Sequence, residues 1–274
     1  MSSSPSFASM FSNRSELRRV SRVAQPTTGR IDPPLGKAAD EAAAPMTFSK
    51  RLRAETAQSH RITESTSFVK GILRGAVDLE SYRNMQTGLY IVYSAMEREL
   101  DRHNLHPLVE NVHFSSLARS RALEQDLDAL WGGKWKDRLT MTPARQQYLD
   151  RIRWVGENDP GLLVAHSYTR YMGDLSGGQV VEKIVRRSLK AEGEDGFRFF
   201  HFNDISDAKA FKNVYRRCLD GLPISRDQGD GIIAESNRVF KLNQQIFEEL
   251  DGSWIRALIK LAPTRFSQRQ AVSY

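Results

Sequence analysis

The run His166-Ser-Tyr-Thr-Arg-Tyr-Met-Gly-Asp-Leu-Ser-Gly-Gly-Gln179 carries the densest chemical signal in the chain. It reads as helix on both sides, yet it holds Gly173, Gly177 and Gly178. Each glycine costs a helix about 1 kcal/mol relative to alanine. Such a cost is tolerated where something approaches the backbone closely or where the helix bends. Gly173 and Gly177 are four apart and therefore share one helical face. That face carries no side chains, and Asp174 stands beside it. A bare backbone next to one carboxylate suits a large flat ligand with chemistry at one edge. Asp174 is itself a poor helix former. It serves to cap a break, to hold an ordered water, or to bond Tyr93, Tyr168 or Arg170.

Three other groups have types and spacing that bear on chemistry. His60 precedes Glu64 by one helical turn, an arrangement that orients a metal-bound imidazole through its second ring nitrogen. The competing assignment is a surface or satisfied core histidine. Lys212 and Arg216 are four apart beside Tyr215 and Arg217, and Arg53 on the His60 segment could join them. They either pair with ligand carboxylates or form a solvated basic face. Glu110-Asn-Val-His113 is a lone Glu-x-x-His, and di-iron bundles need two. It follows Pro107 in an expected loop, so it is set aside. His103 and His106 read as surface or capping residues, and Cys218 as a small packed hydrophobe.

The elements that must position these residues read as helices. Phe48, Leu52 and Thr56 recur at helical spacing and lead into His60. Apolar periodicity predicts helices over Tyr82–Leu100 and Leu117–Leu130, and from Pro143 to about Val155. Pro160 is expected to open the glycine-bearing helix. Ser206 and Asp207 begin another that runs through Leu219. A long helix is expected over Arg226–Leu250, then a shorter one over Trp254–Leu261. The nearest approach to an extended run is Phe197–Phe202. The expected fold is all-α, one globular domain of roughly eight helices.

Composition narrows the class. The chain has 274 residues, is 40% hydrophobic and carries a formal net charge of +7. That balance favours acidic partners. No dense Lys/Arg run with interleaved aromatics points to nucleic acid. One cysteine excludes an intramolecular disulfide and a cysteine-rich metal site. No apolar run approaches the roughly 18 residues of a membrane span, so no membrane anchor is expected. Residues 1–45 are rich in Ser, Ala, Pro and Arg and poor in acids up to Ile31. That is the composition of an organelle transit peptide, with a disordered extension as the alternative. The domain is expected over 46–262, followed by a short polar tail at 263–274.

Taken together, the residues resemble the haem oxygenase family from about Thr47 to Leu261. The match rests on His166–Gln179, Ser59-His60, Tyr-x-x-Tyr-Ser-Ala-Met-Glu at 90–97 and Arg-His-x-x-His-Pro at 102–107. Phe-Lys-x-x-Tyr-Arg at 211–216 and Phe-x-x-Asn-x-x-x-Phe-Glu-Glu-Leu at 240–250 complete it. The likeness is strongest to the soluble cyanobacterial and plastid branch. Arg61 and Ile62 depart from the commoner Thr-x-Ala.

The resemblance implies haem b held between a proximal and a kinked distal helix, as substrate and prosthetic group together. His60 matches the axial iron ligand, with Glu64 supporting it. Gly173 and Gly177 match the distal glycines, Asp174 the distal aspartate, and Tyr93 and Arg170 its network. Arg53, Tyr168, Lys212 and Arg216 match the propionate rim, and Phe240 a haem-contacting position. The implied reaction consumes O2 and electrons from reduced ferredoxin, an acidic protein, and yields biliverdin (alpha isomer expected), carbon monoxide and ferrous iron. A downstream bilin reductase is an implied partner, and the plastid stroma the implied location. The alternative on the same fold is a non-catalytic haem carrier or sensor.

Overall fold

Of this chain, the computed structural model describes residues 46–261, with side chains to residue 250. The expected transit segment at 1–45 and the tail at 263–274 lie outside the described residues. Eight α-helices account for most of the described span: α1 (Phe48–Glu64), α2 (Ser67–Leu73), α3 (Leu79–Arg102), α4 (Ser120–Trp131), α5 (Pro143–Asn158), α6 (Leu163–Leu189), α7 (Ala208–Asp220) and α8 (Arg226–Leu261). Single 3-10 turns lie at Ser115–Leu117, Trp135–Arg138, Pro160–Leu162 and Arg198–Phe200. There is no strand among the described residues.

Helix starts follow local chemistry. Asp78 caps α3 by accepting from the Ser81 amide at 2.8 Å, and Asp207 caps α7 by accepting from the Ala210 amide at 2.9 Å. Such caps satisfy amide groups that have no partner within the helix. Pro143 occupies the first turn of α5, where its missing N–H costs nothing. Glu249 of α8 accepts from the Ala144 amide at 2.8 Å and ties the two helices together.

Three expectations shift. Pro160 opens a 3-10 turn, and the α-helix proper begins at Leu163. Phe197–Phe202 contains the 3-10 turn Arg198–Phe200, not an extended run. Asp126 holds that turn by accepting from the Arg198 amide at 2.7 Å and the Phe199 amide at 2.8 Å. The two expected late helices are one, because helix continues through Leu250 to Leu261.

α8 is the spine, packing against α1, α2, α3, α5 and α6. The core gathers Leu52, Tyr82, Tyr93, Met96, Leu127, Tyr148, Leu163, Tyr215 and Val239, all fully buried. Residues from α1 and α3 through α8 thus meet in one interior, which fixes α1 and α6 relative to their common support. No described helix is long and apolar enough to cross a membrane.

Candidate active site

On α1, His60 keeps 38% of its side chain exposed, and its Nδ1 faces the Glu64 carboxylate at 3.4 Å. A carboxylate at Nδ1 favours the tautomer whose Nε2 carries the lone pair. The ring also meets Phe240 of α8 edge-on, with centroids 5.4 Å apart. Around it α1 is pinned to α8, since Ser59 Oγ donates to Asn237 Oδ1 at 2.6 Å and Thr63 Oγ1 donates to the Phe240 carbonyl at 3.1 Å. Orientation of the imidazole is therefore a property of two helices, not of one flexible side chain.

The glycine-bearing segment is α-helical throughout, so Asp174 caps no break. A β-carbon built on Gly173 would meet no neighbouring heavy atom within 4 Å, whereas one on Gly178 would meet the Phe200 ring at 3.5 Å. Gly178 thus serves packing, while Gly173 is exposed and Gly177 buried.

Of its three expected partners, Tyr93 bonds Asp174 directly and Arg170 acts on it through charge and through Tyr93. The buried Tyr93 hydroxyl donates to Asp174 Oδ2. Arg170, one turn earlier on α6, donates from Nε to the Tyr93 oxygen at 3.2 Å and from an Nη to Asn243 Oδ1 at 2.8 Å. The Arg170 guanidinium also stacks on the Tyr93 ring, 4.9 Å from its centroid. The third expected partner, Tyr168, points instead to the α1 side, where Thr56 is its hydrogen-bond neighbour.

Electrostatics sharpen this cluster. Loss of solvation pushes the Asp174 carboxyl above its ordinary range, against the pull of Arg170 and Tyr93. Burial likewise drives the Tyr93 hydroxyl well up, with Asp174 adding to the shift. Burial opposes the Arg170 charge, but Tyr93, Asp174 and Tyr148 outweigh it and hold that charge more firmly than usual. Asp174 is consequently a carboxyl that takes up a proton more readily than a surface aspartate.

The basic residues converge as the spacing suggested. Tyr168 feels the charges of both Arg53 and Arg216, so residues from α1, α6 and α7 share one rim. Lys212 donates from Nζ to Ser176 Oγ of α6 at 3.0 Å. Its own proton is loosened by burial and by Arg216. Arg216 donates to Asn213 at 2.8 Å. Glu110 and His113 lie in the turns after α3, where the His113 ring pairs with Asp101 at 2.8 Å. Cys218 is half-buried.

Sequence reasoning gave no role to the polar residues behind the cluster, although Glu97 and Asn243 stand in motifs that carry the resemblance. Asn243 and Tyr148 flank Arg170, and Glu97 accepts from the Tyr171 hydroxyl at 3.0 Å and from the Arg119 amide at 2.6 Å. Asn243 was the one with a readable signal, an asparagine in a helix interior where it is a poor former.

Comparison with known proteins bears directly on this arrangement. A family model described as "Heme oxygenase" matches residues 46–249. The chain is 43% identical over 211 residues to "Heme oxygenase 1" of Nostoc, covering 77% of this chain and 89% of that protein. It is 42% identical over 211 residues to "Heme oxygenase" of Guillardia theta, covering 77% and 89% respectively. The crystal structure of heme oxygenase-1 from the cyanobacterium Synechocystis in complex with heme superposes with a TM-score of 0.76 at 42% identity, covering 79% of this chain and 97% of that one. The chain belongs to the haem oxygenase family.

Proposed function

We propose that this enzyme cleaves haem to biliverdin, carbon monoxide and ferrous iron, with O2 and electrons from a reduced ferredoxin. The observation that carries the reading is the Tyr93–Asp174–Arg170 cluster beside a glycine whose face meets no protein side chain. The residues suit an iron porphyrin with two propionates. One imidazole is oriented by a carboxylate, one helix offers bare backbone, and Arg53, Arg216 and Lys212 supply cations at a rim. Glu64 Oε2 is the oxygen that faces the imidazole it would support, while Oε1 is buried without a hydrogen-bond partner.

His60 would hold the iron, with Phe240 against its ring. Lys212, Arg216, Arg53 and Tyr168 would take the propionates. Haem supplies the iron that activates oxygen and the carbon skeleton that is oxidised. The backbone at Gly173 and Gly177 limits the room on the distal side, which directs reaction toward one meso carbon, the alpha position in our reading. Asp174 holds a proton at its carboxyl and delivers it through a water, general acid catalysis in a partly enclosed site. Tyr93 and Arg170 fix the carboxyl for that transfer.

The net positive charge of the chain suits an acidic electron donor, whose encounter rate falls with salt. Residues 1–45 are proposed to direct the enzyme to the plastid stroma, where a bilin reductase would consume the product. Incubation with haem, ferredoxin, its reductase and NADPH tests the reading. Bilin and carbon monoxide are expected. Haem that binds and persists under those conditions would make the protein a carrier instead.

A further inference from the structure

Between α4 and α5 the chain carries Lys134, Lys136 and Arg138 against a single acid, Asp137. All three cations are exposed. Two of them rest on aromatic rings. Lys136 Nζ lies 5.4 Å from the centroid of Trp135, and the Arg138 guanidinium lies 5.2 Å from that of Trp131. The next residues leave apolar side chains in water, with Leu139 37% and Met141 48% exposed. Leu79, at the start of α3, is 41% exposed.

These pieces are held together as one patch. Arg145 of α5 donates to the Thr140 carbonyl at 2.6 Å and to the Asn84 carbonyl of α3 at 2.7 Å. Arg83, one turn beyond Leu79, donates to the Leu130 carbonyl at 2.7 Å and stacks on Trp131, 4.5 Å from its centroid. Trp135 is anchored edge-on against Tyr90 of α3, with centroids 4.8 Å apart. The tip nevertheless stands clear of its surroundings, because a β-carbon built on Gly132 or Gly133 would meet no neighbouring heavy atom within 4 Å. A firmly based tip thus presents cations, indole rings and aliphatic ends together. An acidic protein would answer the cations alone. An anionic leaflet answers both, with phosphates for the cations and the acyl boundary for the aliphatic ends.

We propose that this patch, built on Lys134, Lys136, Arg138, Leu139 and Met141, docks the protein reversibly on an anionic lipid surface. No described helix is long and apolar enough to cross a membrane, so the contact is with one leaflet and weakens with salt. α4 packs on α3, whereas the basic rim of the candidate site lies on α1, α6 and α7. Docking through the tip therefore uses none of the groups assigned to that rim.

Co-sedimentation of the full chain with lipid vesicles tests the assignment without haem, so its outcome is independent of the haem reading. Vesicles of phosphatidylcholine alone are compared with vesicles that also contain phosphatidylglycerol, at low salt. Binding is expected to the anionic vesicles and not to the neutral ones. Each cation near such a surface contributes about five-fold in affinity, so the triple variant K134Q/K136Q/R138Q should bind about 100-fold more weakly. Residues 1–45 are also rich in arginine, so a charge-matched control is needed. K70Q/K183Q/R187Q, at exposed positions on α2 and α6, should lose less than about five-fold. L139S/M141S keeps every charge and should lose about ten-fold or more. Circular dichroism checks that each variant is folded. Equal losses in the two triple variants, unchanged binding in either patch variant, or equal binding of wild type to neutral vesicles would overturn the assignment. If K134Q/K136Q/R138Q keeps its vesicle binding but is no longer retained on immobilised ferredoxin, the patch serves an acidic protein and the assignment fails.

Discussion

The hydroxyl of Tyr93 donates to the carboxylate of Asp174 across 81 residues of sequence, joining α3 to the glycine-bearing helix α6. Arg170 braces the same tyrosine oxygen from one turn away at 3.2 Å. Burial makes that carboxyl hold a proton more tightly than usual, against the pull of both partners, and the Tyr93 bond sets its direction. Tyr93→Phe removes the donor and keeps the ring. Hydrogen bonds to charged groups contribute about 1.5–3 kcal/mol, so biliverdin formation should drop about ten-fold or more while haem affinity stays near wild type. Single-turnover spectra alongside a haem titration check both halves.

Gly173 gives a prediction of opposite signs. No protein atom opposes a β-carbon there, so Gly173→Ala should stabilise the haem-free protein by about 0.5–1 kcal/mol through helix propensity alone. The same methyl occupies the face that the flat substrate needs, so turnover should fall. Denaturant unfolding and bilin yield on one preparation measure the two effects. A loss of both stability and turnover would mean the position is packed.

His60→Ala should abolish the wild-type haem absorption band, and free imidazole should partly restore it. The neighbouring Thr63–Phe240 and Ser59–Asn237 bonds hold α1 in place without the ring, so the variant should keep its helical content by circular dichroism. Unchanged turnover without imidazole would place the axial ligand elsewhere.

Two buried carboxylates should give stability opposite pH dependences. Burial raises Asp126 to about 6 from 3.8. A raised carboxyl contributes stability that is full below its unfolded pKa and is lost as pH rises through the folded one. The wild type should therefore lose ground to Asp126→Asn between about pH 4 and 6, by about 2–3 kcal/mol at most. Burial alone would raise Glu235, but His166 and Arg151 outweigh it and bring it to about 2 from 4.5. Its contribution is present above its unfolded pKa and lost as pH falls toward 2. The advantage of wild type over Glu235→Gln should shrink on acidification. Urea melts across pH separate the two slopes.

Much of this was legible in the residues because helical spacing is a local property. Asp174, Gly173 and Gly177 announced themselves as misfits within a helix, and Lys212 and Arg216 as a pair on one face. Tyr93 and Asp174 were separately visible, but their bond is long-range, and only packing of α3 against α6 creates it. Pro160 misled by one turn, because proline suits the first turn of a 3-10 helix as well as that of an α-helix. Tyr148, Glu235 and the contact that His166 makes went unread for a simpler reason. The Arg151–Glu235–His166 contact is assembled from α5, α8 and α6, and no single segment contains its pattern.

Asp174, beside Tyr93 and Arg170, is proposed to manage protons while haem is cleaved. That role is tested most directly by one comparison: wild type and Asp174→Ala, each loaded with haem, supplied with reduced ferredoxin and oxygen, and assayed for bilin and for oxidation of an added phenol. Biliverdin with little phenol oxidation is expected from the wild type, and the reverse from Asp174→Ala. Equal biliverdin yield from the two proteins would contradict it.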